Sequence, residues 1–191
     1  MSNPRIIAGK ARGFKLQSVP GTITRPITDR VKEALFNILG ADLENTSFLD
    51  LFGGTGSVGI EALSRGAGFV RFLDIHRDAI ITIKTNLGHT HLEENAEVIH
   101  LDAFIFLKQP VDRSFQYIFI APPQYKGLWL KTLQTLDDNP TWISEDGWVI
   151  VQIDPVEYQE QTLKNIRKFD QRRYGSTLLL FYEPTSVENR I

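Results

Sequence analysis

The sequence predicts an α/β protein built on a seven-stranded, mostly parallel sheet with helices on both faces and an antiparallel hairpin at one edge. Three observations predict it. From residue 47 onward, short apolar runs with strand composition alternate with stretches of helical periodicity, as in parallel strands joined by crossover helices. The first convincing strand, SFLDLF (47–52), runs into the glycine-rich turn GGTGS, which opens a helix. Two late β runs, KFDQRRYG and STLLLFYE, meet at Gly175 and Ser176, the composition of a tight turn closing a sheet edge.

The elements follow in order. Thr28 is placed to cap a helix, DRVKEALFNIL, whose Val31, Leu35, Ile38 and Leu39 recur at helical spacing. After SFLDLF and its turn come a helix, SVGIEALSRG, a strand, GFVRFLDI, a helix, RDAIITIKTNL, and a strand, AEVIHL. A short helix, AFIFLKQ, leads to the strand YIFIA, which Pro122 and Pro123 end because proline has no N–H for a sheet ladder and biases its predecessor to extended geometry. A helix near LWLKTLQTL, a strand, GWVIVQI, and a helix near VEYQEQTLKNI precede the hairpin. The expected organisation is a basic N-terminal extension of hairpin and helix over residues 1–40, followed by one domain over residues 41–191.

Composition narrows the chemistry. With no cysteine among 191 residues, disulfides, thiolate zinc sites and cysteine nucleophiles are excluded. MSNPRIIAGKARG has no secretory apolar core, and no apolar run approaches the roughly 20 residues of a membrane span, so a cytoplasmic protein is expected. His89 and His91 lack the i, i+4 helical spacing of hydrolytic zinc sites, and no metal is expected. The net charge of −2 is unevenly spread: residues 1–38 hold seven basic side chains against two acidic ones, a charge of +5, leaving −7 for the rest. A basic arm on an acidic body suits a protein that meets phosphates with one face, although a solvated glycine-rich hairpin carries the same charge.

In such sheets ligands bind beyond the carboxyl ends of the strands. Three successive strands end in a carboxylate, Asp50, Asp74 and Asp102, and would line one edge of a crevice. Taken singly, each reads as an ordinary helix cap or turn residue. Residues 54–59, GTGSVG, match the GxGxxG fingerprint of dinucleotide binding, with Asp74 about 20 positions further on. Yet Asp50, just before the glycines, opposes a pyrophosphate and favours a ligand bearing positive charge. S-adenosylmethionine has a sulfonium, an ammonium and no phosphate, and its ribose diol suits an acceptor such as Asp74.

LDLFGGTGSVGIEALSRGA, the strand end at Asp74 and the LDAF segment at Asp102 resemble the cofactor motifs of class I methyltransferases that use S-adenosylmethionine, a Rossmann-like fold. More narrowly, RIIAGKARGFKL, RPITDRVKEALFNIL and the two-proline motif resemble the bacterial enzymes that methylate guanine N2 in 16S ribosomal RNA, the RsmD family. The resemblance covers nearly the whole chain. It implies that Asp50, Gly53, Gly54 and Gly56 shape the turn under the methionine portion of the cofactor and that Asp74 holds the ribose hydroxyls. Asp102 and Ala103 would lie near the adenine, with Ile75 and Phe104 available to its faces or to the core. It also implies an RNA-binding extension, with Arg5, Lys10, Arg12, Arg25, Arg30 and Lys32, joined by Lys126, as phosphate contacts. Arg172 and Arg173 are weaker candidates. The implied partner is 16S ribosomal RNA or a small-subunit assembly intermediate, met by a monomer.

The two-proline motif departs from the pattern of related enzymes, in which Asp or Asn precedes the prolines and an aromatic follows them. Here the order is Ala121, Pro122, Pro123, Gln124, Tyr125. An exocyclic amine needs acceptors for its N–H groups, so that its lone pair is aimed and the developing charge is stabilised. The carbonyls of Ala121 and Pro122 survive any side-chain change, Gln124 can add an amide oxygen, and Tyr125 can stack on an extruded base, with Trp129 either a second stacking ring or core. Three rivals stay open: methylation of a different amine, a non-catalytic RNA-binding assembly factor with a retained cofactor site and, more distantly, a nucleotide-cofactor oxidoreductase.

Overall fold

The computed structural model describes residues 3–21 and 27–185, in two compact units that divide at Asp102 and Ala103. In the first unit, helix α1 (Asp29–Leu39) starts at Thr28, whose side chain accepts from the Val31 N–H, and buries Val31, Leu35, Phe36 and Leu39. Strand β1 (Ser47–Asp50), helix α2 (Ser57–Ser64), strand β2 (Phe69–Asp74), helix α3 (Arg77–Thr90) and strand β3 (Ala96–His100) follow. The strands pair in parallel in the order β3-β2-β1, with Asp50 opposite Phe72 and Asp74 opposite His100. All four residues of β1 are buried, as expected of a parallel strand covered on both faces.

Residues 3–21 are tied to α2 by hydrogen bonds. A short antiparallel turn is closed by Ile6 N–H to Phe14 O (2.9 Å) and Leu16 N–H to Pro4 O (2.7 Å). The fully buried carboxylate of Glu61 accepts from the N–H groups of Ile7 (2.8 Å) and Ala8 (3.0 Å). One turn on, Ser64 Oγ donates to Ala8 O and accepts from Ala11 N–H. Gly9 lies against this turn with φ +83°, and a Cβ there would sit 1.8 Å from the Ser64 carbonyl oxygen, so no other residue fits.

This clamp corrects one expectation. Lys32, read as a phosphate contact, is 1% exposed; its Nζ donates to Arg5 O (2.6 Å) and lies 3.3 Å from Glu61 Oε2. Burial pushes its pKa below the usual lysine value, against the Glu61 charge that holds it up. A side chain so enclosed is structural.

In the second unit, helix α4 (Ala103–Leu107) precedes strand β4 (Phe115–Ile120), helix α5 (Leu128–Asp138), strand β5 (Ile143–Ile153), strand β6 (Ile166–Tyr174) and strand β7 (Thr177–Pro184). The order is β4-β5-β7-β6, with β4 and β5 parallel and β7 antiparallel to both its neighbours. Tyr174 pairs with Thr177 across the turn at Gly175, as the sequence predicts. These are the seven strands of a mostly parallel sheet with an antiparallel edge.

The helix expected near VEYQEQTLKNI does not form. A single 3₁₀ turn, Pro155–Glu157, is capped by Asp154, and the chain is then irregular until β6. The physical reason lies at its far end, where the Asp137 carboxylate accepts from the N–H groups of Lys164, Asn165 and Ile166. In a helix those amides would be bonded to carbonyls four residues back. Among the described residues no helix is long and apolar enough to cross a membrane.

Candidate functional site

In the first unit the glycine-rich turn is held by its own backbone. Gly53 N–H donates to Leu73 O (2.7 Å) at the end of β2, and Gly56 N–H donates back to Gly53 O (2.7 Å). Gly56 precedes α2 in the left-handed region, φ +78°, which a side chain would strain. Gly59 faces β2 so closely that a Cβ would stand 2.2 Å from the Phe72 ring, which seats α2 on the strand and aims its N-terminus past the turn.

Asp74 is fixed by this turn. Oδ2 accepts from Gly54 N–H (2.9 Å) and Oδ1 from His76 N–H (2.8 Å). A carboxylate has about four lone-pair sites, so two remain for a ligand's hydroxyls. The next residue, Ile75, is 56% exposed, an apolar surface open to a flat ring, while its carbonyl is bonded to His100 Nε2 (2.8 Å).

Asp50 is 2% exposed, and its Oδ1 has no hydrogen-bond partner. Burial pushes its pKa up from 3.8 to about 7; the nearby Asp74 charge adds to the rise, and N–H bonds from Phe52 and Gly59 oppose it. A buried acceptor without a donor costs about 1–3 kcal/mol and marks where one is expected. A ligand ammonium would satisfy that oxygen and favour ionisation, so this set of acceptors fits a cationic ligand with vicinal hydroxyls and disfavours a pyrophosphate. Asp102 is half-buried just after β3. Ala103, in the second unit, is buried at the start of α4. Phe104 is half-buried, with the Lys131 ammonium 4.2 Å from its ring centre, so that face of the ring is engaged within its own unit.

In the second unit β4 ends at Ile120 and the motif emerges: Ala121 and Gln124 half-buried, Pro122 buried, Pro123 and Lys126 exposed. Tyr125 is 66% exposed with φ +62°, a conformation rare for an aromatic residue. Two carboxylates hold it there: its N–H donates to Glu157 Oε1 (2.7 Å) and its hydroxyl to Asp154 Oδ2 (2.9 Å). Sequence reasoning placed Glu157 in a helix and passed over Asp154, which lies just before it; the available signal was Asp154 before Pro155, a capping pair for a short turn. Trp129, 3% exposed, belongs to the core.

Of the basic side chains, Arg5, Lys10, Arg12, Lys15 and Arg30 are exposed, Arg5 pairing with Asp29 at 2.6 Å; Arg25 lies outside the described residues. Arg172 pairs with Asp170, and Arg173 donates to Gly175 O.

Parallel strands ending in Asp50 and Asp74 around a glycine-rich turn, completed by an antiparallel edge hairpin, define a Rossmann-like methyltransferase fold. A family model described as Conserved hypothetical protein 95 matches residues 4–183. A candidate ribosomal RNA methyltransferase of Bacillus subtilis, YlbH, is 39% identical over 94% of this chain and 98% of its own length. Ribosomal RNA small subunit methyltransferase D of Escherichia coli strain K12 is 36% identical over 78% of this chain and 73% of its own. Among solved structures, a candidate methyltransferase from Escherichia coli, yhhF, superposes with a TM-score of 0.84 at 31% identity, covering 96% of this chain and 98% of that one. The chain belongs to the family of ribosomal RNA small subunit methyltransferase D.

Proposed function

We propose that this protein transfers a methyl group from S-adenosylmethionine to the exocyclic N2 amine of a guanine in 16S ribosomal RNA. The observation that carries the reading is the buried, unpartnered Oδ1 of Asp50 beside the glycine-rich turn whose backbone fixes Asp74. Bound there, the cofactor supplies a methyl group made electrophilic by its sulfonium. Asp50 pairs with its ammonium, Asp74 accepts from the ribose hydroxyls, and Ile75 offers an adenine-facing surface, with Asp102 and Ala103 assigned to the same end.

The acceptor chemistry belongs to the two-proline motif. The nitrogen lone pair of an exocyclic amine is partly delocalised into the base, so the carbonyls of Ala121 and Pro122 serve by accepting its N–H groups, which aims the lone pair and stabilises the positive charge the nitrogen gains. Pro122 and Pro123 hold those carbonyls in place, Gln124 adds an amide, and the constrained Tyr125 ring stacks on the extruded base, worth about 1–3 kcal/mol. Residues 1–40 form the RNA-contacting extension, with exposed Arg5, Lys10, Arg12, Lys15 and Arg30 as phosphate contacts, Arg25 in the same segment and Lys126 beside the base.

Ala121 favours a second reading, an assembly factor that binds cofactor and RNA without turnover. Transfer of a labelled methyl group to small ribosomal subunits lacking their guanine-N2 methylation, with the modified nucleotide mapped, separates the readings. Label on a guanine N2 is expected. No label with intact cofactor and RNA binding selects the assembly factor, and label on another base moves the specificity.

A further inference from the structure

Among the described residues three buried side-chain oxygens lack a hydrogen-bond partner: Asp50 Oδ1, Gln152 Oε1 and Glu157 Oε2. Buried polar atoms are nearly always paired, so each orphan calls for a reason. Asp50 has one in the cofactor. The other two stand at the carboxyl end of β5 and in the turn that follows, within the unit that carries the two-proline motif.

Their placement relative to that motif is set by register. Strands β4 and β5 are parallel, and their register ends with Ile120 opposite Val151; Ala121 is the residue that follows the one and Gln152 the residue that follows the other. Side chains at matched positions of neighbouring strands point to the same face of the sheet. Glu157 reaches the motif directly: its Oε1 accepts from Tyr125 N–H at 2.7 Å, which leaves Oε2 as the unpaired oxygen of a carboxylate already anchored to the stacking residue. Tyr125 is held a second time by Asp154, so the carboxyl end of β5 and its turn fix the motif's aromatic in its unusual backbone conformation.

We propose that the acceptor missing from the motif at Ala121 is supplied by the end of β5, with Gln152 Oε1 and Glu157 Oε2 accepting N–H groups from the base edge that carries the amine. The chemistry matches the need. On its Watson–Crick edge guanine sets two donors side by side, N1–H and the N2 amine that reacts, and a side-chain amide oxygen with a carboxylate oxygen offers two acceptors to that pair. Adenine places a ring nitrogen acceptor on that edge, which a carboxylate would repel. In this arrangement the carboxylate need not sit on the motif, because a neighbouring strand end delivers acceptors to the same place. The inference rests on the amine-methylation reading above.

Single-turnover methyl transfer to the small subunit, measured beside direct S-adenosylmethionine binding, tests it in four proteins: wild type, Gln152→Met, Glu157→Gln and Gln152→Met with Ala121→Asp. Gln152→Met is expected to slow the chemical step roughly 100- to 1,000-fold while cofactor affinity is kept, since removing one preorganised partner of a developing charge costs on that order. Glu157→Gln keeps the oxygen that holds Tyr125 and is expected to slow transfer while leaving cofactor affinity unchanged. Ala121→Asp is expected to restore much of the rate lost in Gln152→Met, a rescue that a merely structural role for Gln152 would not allow. Wild-type rates in both single variants, or a loss that Ala121→Asp leaves unchanged, would overturn the inference alone. A wild-type protein that binds cofactor and RNA but transfers nothing would overturn the function and the inference together.

Discussion

The first unit holds two buried carboxylates that have been treated in opposite ways. Glu61, 0% exposed, is fully engaged: two backbone N–H groups, the Lys32 ammonium and the Arg65 guanidinium all converge on it. Asp50, 2% exposed, keeps an oxygen without a donor and a pKa near 7. Burial is the same; provision is not. The carboxylate that serves the chain's own architecture is surrounded with donors, and the one assigned to a ligand under the proposed function lacks its last donor.

The largest expected effect breaks the satisfied member. Glu61→Ala strands the Lys32 ammonium in the core and releases the amides of Ile7 and Ala8. Removing one partner of a buried pair costs about 3–5 kcal/mol, so urea denaturation should show a loss of that size. Amide exchange near Ile7 and Ala8 should accelerate with it.

The unsatisfied member should behave in the reverse manner. Asp50→Asn is expected to weaken S-adenosylmethionine binding roughly 10- to 100-fold, the worth of a buried charge-assisted contact, while leaving the cofactor-free protein at least as stable at neutral pH. The sign follows from linkage. A folded-state pKa of about 7 lies above the ordinary 3.8, so the stability Asp50 contributes when protonated is complete below about pH 4 and is lost as pH rises through 7. At about 1.4 kcal/mol per pH unit of separation the full swing is at most about 4 kcal/mol. Denaturation of the wild type from acid to neutral pH should show this decline, and Asp50→Asn should lack it.

The smallest effect concerns the surface that the Glu61 clamp presents. Reversing Lys10 and Arg12 to Glu should leave stability and cofactor affinity within error, because both side chains are exposed. It should weaken ribosomal RNA binding and reduce the salt dependence of that binding by about one unit of slope for each phosphate no longer neutralised. Unchanged RNA affinity would remove these two residues from the proposed RNA-contacting surface.

How much of this was legible in the sequence depends on how local each signal is. The strands, the glycine-rich turn, the Thr28 cap and the edge hairpin are written within a few residues of where they act, and the structure follows them. The three aspartates at strand ends are likewise readable, since fold and chain order alone put them there. Lys32 shares the helix face of Leu35, Phe36 and Leu39, a local sign of burial that its charge outweighed, and its partner, Glu61, lies on another helix where no local signal reaches. The absent helix at residues 156–166 has the same origin: Asp137, nearly 30 residues earlier, captures the amides on which the helix would have depended. Gln152 and Glu157 escaped notice because an orphaned oxygen is a property of packing, visible only once every donor around it has been placed.

The measurement that reaches the central claim most directly is the affinity of S-adenosylmethionine for the wild type and for Asp50→Asn, followed by calorimetry between about pH 5.5 and about pH 7.5. If Asp50 Oδ1 receives the cofactor's ammonium, wild-type affinity rises with pH as the carboxyl group ionises and begins to level off above 7, while Asp50→Asn binds weakly and shows no such rise. Equal affinities for the two proteins, or a wild-type affinity flat across that range, would contradict the assignment of Asp50 as the oxygen reserved for the ligand.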